Sequence, residues 1–457
     1  MNNFIKLESF RNSNDQAFSS VKSFVNTIVD EFSFVETDAF LSSKPFLSDY
    51  EVTEGVLSGF ATVDGAPIYL IAQNSNQIGG SLGRAGAEKI CKCIDKALRA
   101  KAPLVSIIDS SGARVGEGTA VMEAYASILS AASAIAGVIP HICIVKGNAI
   151  GMQAAFCALA DFVIAMPDAV YSVGTPMSIL SKANDLKKPN EVLGATAMLK
   201  KGNVHFACKT EEECADYVKY LISFTGVGRD FSTTDDFNRQ SPILDDDISV
   251  KNVLDAVCDD KNYRILGNKD ACVVCAIGYV ADKSVGIILT KGELCLKGIQ
   301  NATRFINFLD SFDIPLLTFV DSSTVSTGVD GELMGAAETV ANLFYAVSSS
   351  DNAKIAVITG KAIGLSYTAF ASKSCGYDYV YALINAVVSP VSGDLSVDVL
   401  YSDEIKNSTD PNAREKIAKR HEELSDVFTV AKEGYIDNVI EPSLVRPYVI
   451  SALQMLD

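Results

Sequence analysis

The sequence predicts an α/β fold with largely parallel strands, built twice along one chain. Two observations carry that expectation. Gly-Asn-Ala-Ile-Gly at 147–151 returns as Gly-Lys-Ala-Ile-Gly at 360–364, 213 positions on (360 − 147), each time behind a β-branched run. Around each copy, apolar runs of strand length alternate with segments whose apolar residues recur at helical spacing, the pattern of strand-helix units joined by right-handed crossovers.

Each element follows in order. APIYLIAQ (66–73) reads as a buried strand, and Ala87, Ile90, Ile94, Ala97 and Leu98 then mark one helical face. APLVSIIDSSG (102–112) is a second strand ending in Asp-Ser-Ser, and IPHICIVKG (139–147) a third, ending in the glycine motif. The second half repeats the order with SVGIILT (284–290), a helix carrying Ile299, Ala302, Phe305 and Leu309, then IPLLTFVDSS (314–323) and AKIAVITG (353–360). Asp109 precedes Gly147 by 38 positions (147 − 109) and Asp321 precedes Gly360 by 39 (360 − 321). Two copies of one strand-helix-strand-helix-strand unit are the economical reading. Between them TEEECADYVKYLISF reads as a closing helix, and the polar stretch GVGRDFSTTDDFNRQSPILDDD marks a boundary near 236, giving domains 1–236 and 237–457. DPNAREKIAKRHEELSD is expected to be a solvated helix rich in i,i+4 charge pairs.

Composition trims the functions on offer. A chain of 457 residues suits two domains of ordinary size, and 48% hydrophobic residues give it a large core. Against 56 Asp and Glu stand 39 Lys and Arg, a net charge of −17 that opposes broad binding to nucleic acid or anionic lipid. No apolar run reaches the roughly 20 residues of a membrane helix, and the polar start MNNFIKLESFRNSND is no secretion signal, so a cytoplasmic location is expected. Eleven Cys, an odd number, suit reduced thiols. The single CxxC, Cys272 to Cys275, lies in a β-type run where positions three apart face opposite ways, so core packing is expected there rather than a metal or redox site.

In each copy the glycine turn opens onto a small, apolar helix start, Gly151-Met152-Gln153-Ala154-Ala155 and Gly364-Leu365-Ser366-Tyr367-Thr368. The first N–H groups of a helix lack internal partners and sit at the positive end of its dipole, so such a turn can hold an oxyanion. The competing reading is that glycine only permits a tight strand-helix junction.

At these residues the chain resembles the carboxyltransferase family of biotin-dependent carboxylases and decarboxylases. The blocks are GVLSGFATVDGAPIYLIAQ (55–73), GGSLGRAGAEKI (79–90), DSSGARVGEG (109–118), GVIPHICIVKGNAIGMQAAFCALADFV (137–163), IPLLTFVDSSTVSTGVD (314–330), KAIGLSYTAFASKSCGYDYVYA (361–382) and EGYIDNVIEPSLVR (433–446). They come in family order from about residue 50 onward. The resemblance implies two tandem crotonase-like domains, the N-terminal one on the acyl-CoA side and the C-terminal one on the biotin side. It further implies carboxyl exchange between biotin on a separate carrier protein and a short acyl-CoA, without a metal. The implied partners are a biotin carboxyl carrier protein, a biotin carboxylase or membrane decarboxylase subunits, and copies of the chain itself in a dimer or trimer of dimers. Carboxyl transfer passes through a thioester enolate and a comparable ureido oxyanion, each needing its own backbone donors. By matching motifs, Gly151 and Met152 fall at the donors for the acyl-CoA carbonyl, and Leu365 and Ser366 at those for biotin. Gly79, Gly80, Gly112, Ala113, Arg114, Gly364, Tyr367 and Thr368 fall at substrate-binding positions, Thr368 lining the acyl pocket.

The chain departs from the family pattern in places. Gly-Gly is usual at the first donor position and Gly-Ala at the second, whereas Met152, Leu365 and Ser366 are larger. The family's Val-Pro-Gly-Phe segment is replaced by Ser322-Ser323-Thr324-Val325. A scaffold paralogue is therefore one alternative. An α/β-hydrolase is another, because GGSLG (79–83) fits a nucleophile elbow with Ser81, but the polar NSNQ before it and only three His, at 141, 205 and 421, speak against a triad. Within the family, the absence of a Met-Lys-Met biotinylation site and of a glycine-rich ATP segment points to separate carrier and carboxylase chains, and Cys91 as first Cys excludes the zinc-ribbon subunit. Propionyl-CoA or acetyl-CoA carboxylation and decarboxylation of methylmalonyl-CoA or malonyl-CoA by a sodium-pumping enzyme remain equivalent readings. Arg84 and Lys89 are candidate contacts for CoA phosphates, and Arg114 for an anionic substrate or a structural salt bridge.

Overall fold

The structure, a computed structural model, describes residues 3–43, 52–227 and 231–456. It divides into two compact units, Met1–Asp230 and Phe231–Asp457. The division falls six positions before the boundary near 236 expected from the sequence (236 − 230).

Unit 1 contains α1 (Asn3–Ala17), α2 (Ser19–Ile28), β1 (Val35–Glu36), β2 (Val56–Val63), β3 (Ala66–Gln73), α3 (Arg84–Ala100), β4 (Leu104–Ser110), α4 (Ala120–Ile135), β5 (His141–Ile150), α5 (Met152–Ala158), β6 (Phe162–Ala165), β7 (Val170–Ser172), β8 (Phe206–Ala207) and α6 (Glu211–Phe224). Unit 2 contains α7 (Val250–Val257), β9 (Tyr263–Leu266), β10 (Val273–Val280), β11 (Lys283–Leu294), α8 (Leu296–Ser311), β12 (Leu316–Val325), α9 (Ala336–Ser349), β13 (Lys354–Ile363), α10 (Leu365–Phe370), β14 (Tyr379–Leu383), β15 (Val387–Ser389), α11 (Ala413–Leu424), β16 (Asn438–Ile440) and α12 (Val445–Met455).

The two sheets are wired alike. Their orders are β1-β2-β3-β4-β5-β6-β8 with β7 on β5, and β9-β10-β11-β12-β13-β14-β16 with β15 on β13. In both, the first three strands are antiparallel and the rest parallel. The parallel strands read as continuous apolar runs because helices cover both faces. In α2, Val21, Phe24, Val25 and Ile28 are buried at helical spacing, and in α7 Val253, Leu254 and Val257 repeat it.

The duplication reaches further than the sequence reading took it. SVKSFVNTIVD (20–30) and SVKNVLDAVCD (249–259) are the same helix followed by the same Asp. Asp30 accepts from the N–H groups of Asp64 and Gly65, both at 2.9 Å, in the β2–β3 hairpin. Asp259 accepts from Asp282 N at 2.9 Å in the β10–β11 hairpin. Both hairpin turns carry positive φ at their two central residues, 49° and 83° in the first and 52° and 67° in the second, the backbone that matches strand twist.

Two local expectations are corrected. Cys275 is buried in β10, but Cys272 stands outside the strand with its Sγ 2.8 Å from that of Cys295, so its neighbour is 23 residues away and the CxxC does not act as a unit. Among the described residues, the charged helix α11 makes its ion pairs with other segments rather than the expected i,i+4 pairs. Arg414 reaches Asp398, Arg420 reaches Glu404 and Lys416 reaches Asp410, all outside α11.

Candidate active site

Each glycine motif lies inside the end of a strand and not after it, since β5 runs to Ile150 and β13 to Ile363. Three features of the motif then have physical causes. A Cβ at Gly147 would overlap the Asp109 carboxylate, and one at Gly360 the Asp321 carboxylate, so glycine is required where the Asp of the neighbouring strand folds over. That carboxylate accepts the next N–H, Asn148 N at 3.1 Å in unit 1 and Lys361 N at 2.8 Å in unit 2. The strand register slips at this point in both sheets, between Ile108 and Ser110 and between Val320 and Ser322. The 38- and 39-residue spacings therefore reflect one interaction made twice.

The motif alanines come next. Ala149 sits opposite Ser110 and Ala362 opposite Ser322, all four fully or almost fully buried. The final glycines take φ 70°, ψ −132° at Gly151 and φ 55°, ψ −116° at Gly364, a region closed to residues with a side chain. Gly151 N donates to Ser172 O at 3.0 Å, and Gly364 N to Ser389 O at 2.9 Å. The chain turns there, and α5 and α10 begin at Met152 and Leu365 with no side chain capping either start. Two helix beginnings with unsatisfied N–H groups result.

The side chains at the two expected donor positions differ. Met152 is about half exposed, whereas Ser366 is fully buried. Ser366 Oγ makes a short contact with Ser322 Oγ, which donates to Thr290 Oγ1 at 2.8 Å. The two serines that depart from the family pattern are thus partners of each other. Register aligns Tyr69 with Gly286, through Leu104 and Leu316, so Gln73, Ser110 and Gln153 are the counterparts of Thr290, Ser322 and Ser366. Sequence reasoning missed this polar floor. Superposing the repeats residue by residue from the Asp and Gly anchors would have shown it.

The loop residues expected to bind substrate are stitched together. Ser111 N donates to Gly79 O at 3.1 Å, Ser110 Oγ to Gly80 O at 2.7 Å, and Leu82 N to Gly112 O at 2.9 Å, with Ala113 bridged to Leu82. Gly80 packs on the Asp109 carbonyl, where a Cβ would overlap. Arg114 is buried in an ion pair with Glu54 at 2.8 and 3.0 Å and also contacts Glu117 and the Ser81 carbonyl. Of the two roles left open for it, the structural one is what this geometry shows. Lys89 cannot meet CoA phosphates. It is buried, it donates to Val56 O at 2.6 Å, and burial pushes its pKa down. Arg84 is exposed at the start of α3, with its N–H on Glu117. Tyr367 is half-buried, and Thr368 is exposed with its hydroxyl on the Gly364 and Leu365 carbonyls.

The hydrolase arrangement is absent among the described residues. Ser81 Oγ has no partner. His141 is buried against Ser106 Oγ at 2.9 Å, and desolvation pushes its pKa down to about 3. His205 Nδ1 accepts from Val163 N at 2.9 Å, and His421 lies in unit 2 beside Ser389 Oγ at 3.2 Å.

Two tandem crotonase-like units, each ending a bulged strand in an uncapped helix start, define the class of fold. Residues 21–457 match the carboxyl transferase domain family. The chain belongs to that family. It is 31% identical to the propionyl-CoA carboxylase carboxyltransferase subunit of Haloferax mediterranei, over 97% of this chain and 91% of the relative. To the methylmalonyl-CoA decarboxylase subunit alpha of Propionigenium modestum it is 30% identical, over 94% and 88%. The solved transcarboxylase 12S hexamer, with methylmalonyl-CoA and methylmalonic acid bound, superposes with a TM-score of 0.87 at 28% identity, covering 97% of this chain and 91% of that one. The enzyme class and fold expected from the sequence blocks are those of these relatives. Among the described residues, no helix is long and apolar enough to cross a membrane.

Proposed function

We propose that the chain is the carboxyltransferase component of a biotin-dependent acyl-CoA carboxylase, with unit 1 holding the acyl-CoA thioester and unit 2 the biotin of a separate carrier protein. One observation carries this reading: a chain of this family builds the same Asp-clamped, uncapped turn twice, and the reaction has two oxyanions to hold. In the forward direction the N–CO₂ bond of carboxybiotin breaks and the ureido group gains electron density. The ureido nitrogen that has lost the carboxyl group takes the α-proton from the thioester carbon, and the resulting enolate attacks the released carboxyl carbon. The N–H of Met152 faces the enolate oxygen, and those of Leu365 and Ser366 the ureido oxygen; Gly151, expected from the sequence as a second donor, instead shapes the turn, because its own N–H is already held by the Ser172 carbonyl. Fixed dipoles aimed at charge that develops only during reaction lower the barrier. The larger side chains do not remove the donors, because the donors are backbone. Gly79, Gly80, Gly112, Ala113 and Arg114 shape the loop beside the first turn, and Gly364, Tyr367 and Thr368 the second.

The reverse direction, decarboxylation of methylmalonyl-CoA or malonyl-CoA, uses the same groups, and the relative from Propionigenium modestum supports it as strongly as the carboxylase relatives support the forward one. The partners are a biotin carrier with either a biotin carboxylase or membrane decarboxylase subunits. A cytoplasmic homo-oligomer is proposed, following the hexamer of transcarboxylase 12S. The test is carboxyl transfer by the purified chain from methylmalonyl-CoA or malonyl-CoA, within a panel of short acyl-CoAs, to free or carrier-bound biotin, without ATP or added metal. Formation of propionyl-CoA or acetyl-CoA is expected. Acyl-CoA binding without any exchange would favour the scaffold reading.

A further inference from the structure

Unit 2 contains a cavity of about 460 Å³ at the C-terminal ends of β11, β12 and β13, on the face covered by α7. In unit 1 the same space is filled. There Phe24 is fully buried under Lys146, whose Nζ lies 4.3 Å from the ring centre and 3.8 Å from Glu211. Lys22 is held by Glu36 at 3.3 Å, and Ser75 Oγ occupies the second oxygen of Asp109 at 2.5 Å.

Register and motif align four of these with a smaller or uncharged residue in unit 2, while Lys22 and Asp109 keep their identities as Lys251 and Asp321. Phe24 becomes Val253, Lys146 becomes Thr359, Glu36 becomes Ile265 and Ser75 becomes Gly292. Meanwhile Asn74 becomes Lys291. Three of these replacements, Val253, Ile265 and Thr359, line one hollow, and the added lysine gives its rim charge. Val253, Ile265, Leu289 and Phe319 form an apolar floor. At the rim stand Lys251, Lys269 and Lys291 against two carboxylates, Asp270 and Asp321. Lys251 also pairs with Asp255 at 2.5 Å, and Lys291 donates to the Lys269 carbonyl at 3.4 Å. A volume of this size lies in the ordinary range for small-molecule sites.

We propose that this cavity is a binding site for a small organic anion with an apolar body, such as a medium-chain carboxylate, distinct from the two glycine turns. The carboxylate meets the lysine rim and the chain lies on the apolar floor. An occupant touches Asp321, the residue that clamps Gly360, so the site adjoins the back of the second turn.

Calorimetric titration of the full chain with decanoate tests the proposal, with decanol and decyltrimethylammonium as uncharged and cationic controls. One decanoate per chain is expected, with at least tenfold weaker binding of either control. Lys291→Asn, which installs the residue unit 1 uses, should weaken decanoate at least tenfold. Val253→Phe with Thr359→Lys, which installs unit 1's filling pair, should abolish binding while thermal stability is kept. If that double variant does not fold, the surface change Lys291→Asn decides alone. No decanoate binding, undiminished binding in the variants, equal binding of the cation, or displacement of decanoate by propionyl-CoA would each overturn the assignment.

Discussion

Unit 1 and unit 2 build the same turn over different polar floors. Under the first turn lie Gln73, Ser110 and Gln153, and the Gln73 amide and Gln153 Nε2 have no partner among the described residues although both are buried. Under the second lie Thr290, Ser322 and Ser366, three hydroxyls that satisfy one another. The starts of the two motif strands show the same split. His141 N and Lys354 N both donate to an Asp, Asp161 and Asp378, at 2.8 Å, yet one side chain is an imidazole and the other an ammonium bonded to Ser350 O at 2.6 Å. Backbone geometry is held constant by Asp, Gly, Ala and Gly, while the surroundings are free to diverge. Such divergence suits two turns serving two chemically different partners.

Substitutions made in one unit at a time separate the shared backbone from the divergent surroundings. The largest stability effect should come from Arg114→Met, which takes the buried guanidinium away from Glu54, Glu117 and the Ser81 carbonyl in the interior of unit 1 and costs about 3–5 kcal/mol. Chemical denaturation measures it. Gly147→Ala and Gly360→Ala should each cost about 1–3 kcal/mol by forcing a methyl against a carboxylate. Pairing Gly147→Ala with Asp109→Ala should recover part of that loss, because the overlapping group is removed. Equal costs in the two units are expected from their equal geometry.

A third effect belongs to unit 1 alone. His141 has its folded pKa pushed down to about 3 against an ordinary 6.5, so it stays neutral when folded while the unfolded chain takes up a proton. The stability it permits is present above pH 6.5 and is lost as pH falls from 6.5 toward 3, amounting to a few kcal/mol at the lower end, on the order of 1.4 kcal/mol per pH unit. Denaturation between pH 7 and 4 should show a shallower loss for His141→Asn than for the native chain. The smallest effect should be that of Gln73→Met, below about 1 kcal/mol. It replaces an amide that has no protein partner, and an apolar group of similar shape removes the need for one.

Much of the fold was legible in the sequence because buried parallel strands and amphipathic helices leave periodic signatures, and because the repeat supplied its own alignment. The helix 20–28 and its twin 249–257 escaped notice since only Ser-Val-Lys and the following Asp are shared, and the Asp acts through a hairpin more than twenty residues on. For the site, the glycines were visible but their partners were not. A carboxylate folding over a neighbouring strand is a contact across 38 residues, and nothing local to Gly147 announces Asp109. Lys89 misled because a helix-start lysine near a glycine loop looks solvated, whereas its amine reaches back to the Val56 carbonyl inside the sheet edge. The Ser322 and Ser366 departures looked independent in the sequence and turn out to touch.

If each turn donates backbone N–H groups to its own partner, paired proline variants should abolish that donation in one unit at a time. Met152→Pro and Leu365→Pro each remove the N–H of the first residue of a helix, a position where proline is tolerated. Leu365 is a cleaner choice than Ser366, whose hydroxyl also belongs to the buried chain. Turnover of methylmalonyl-CoA with biotin should fall on the order of 10²–10³-fold in both variants, about 3–4 kcal/mol, with thermal stability unchanged. Acyl-CoA binding, followed by calorimetry, should be retained in Leu365→Pro. Two folded variants with native turnover would contradict the account and leave Gly-x-Ala-Ile-Gly as a structural junction only.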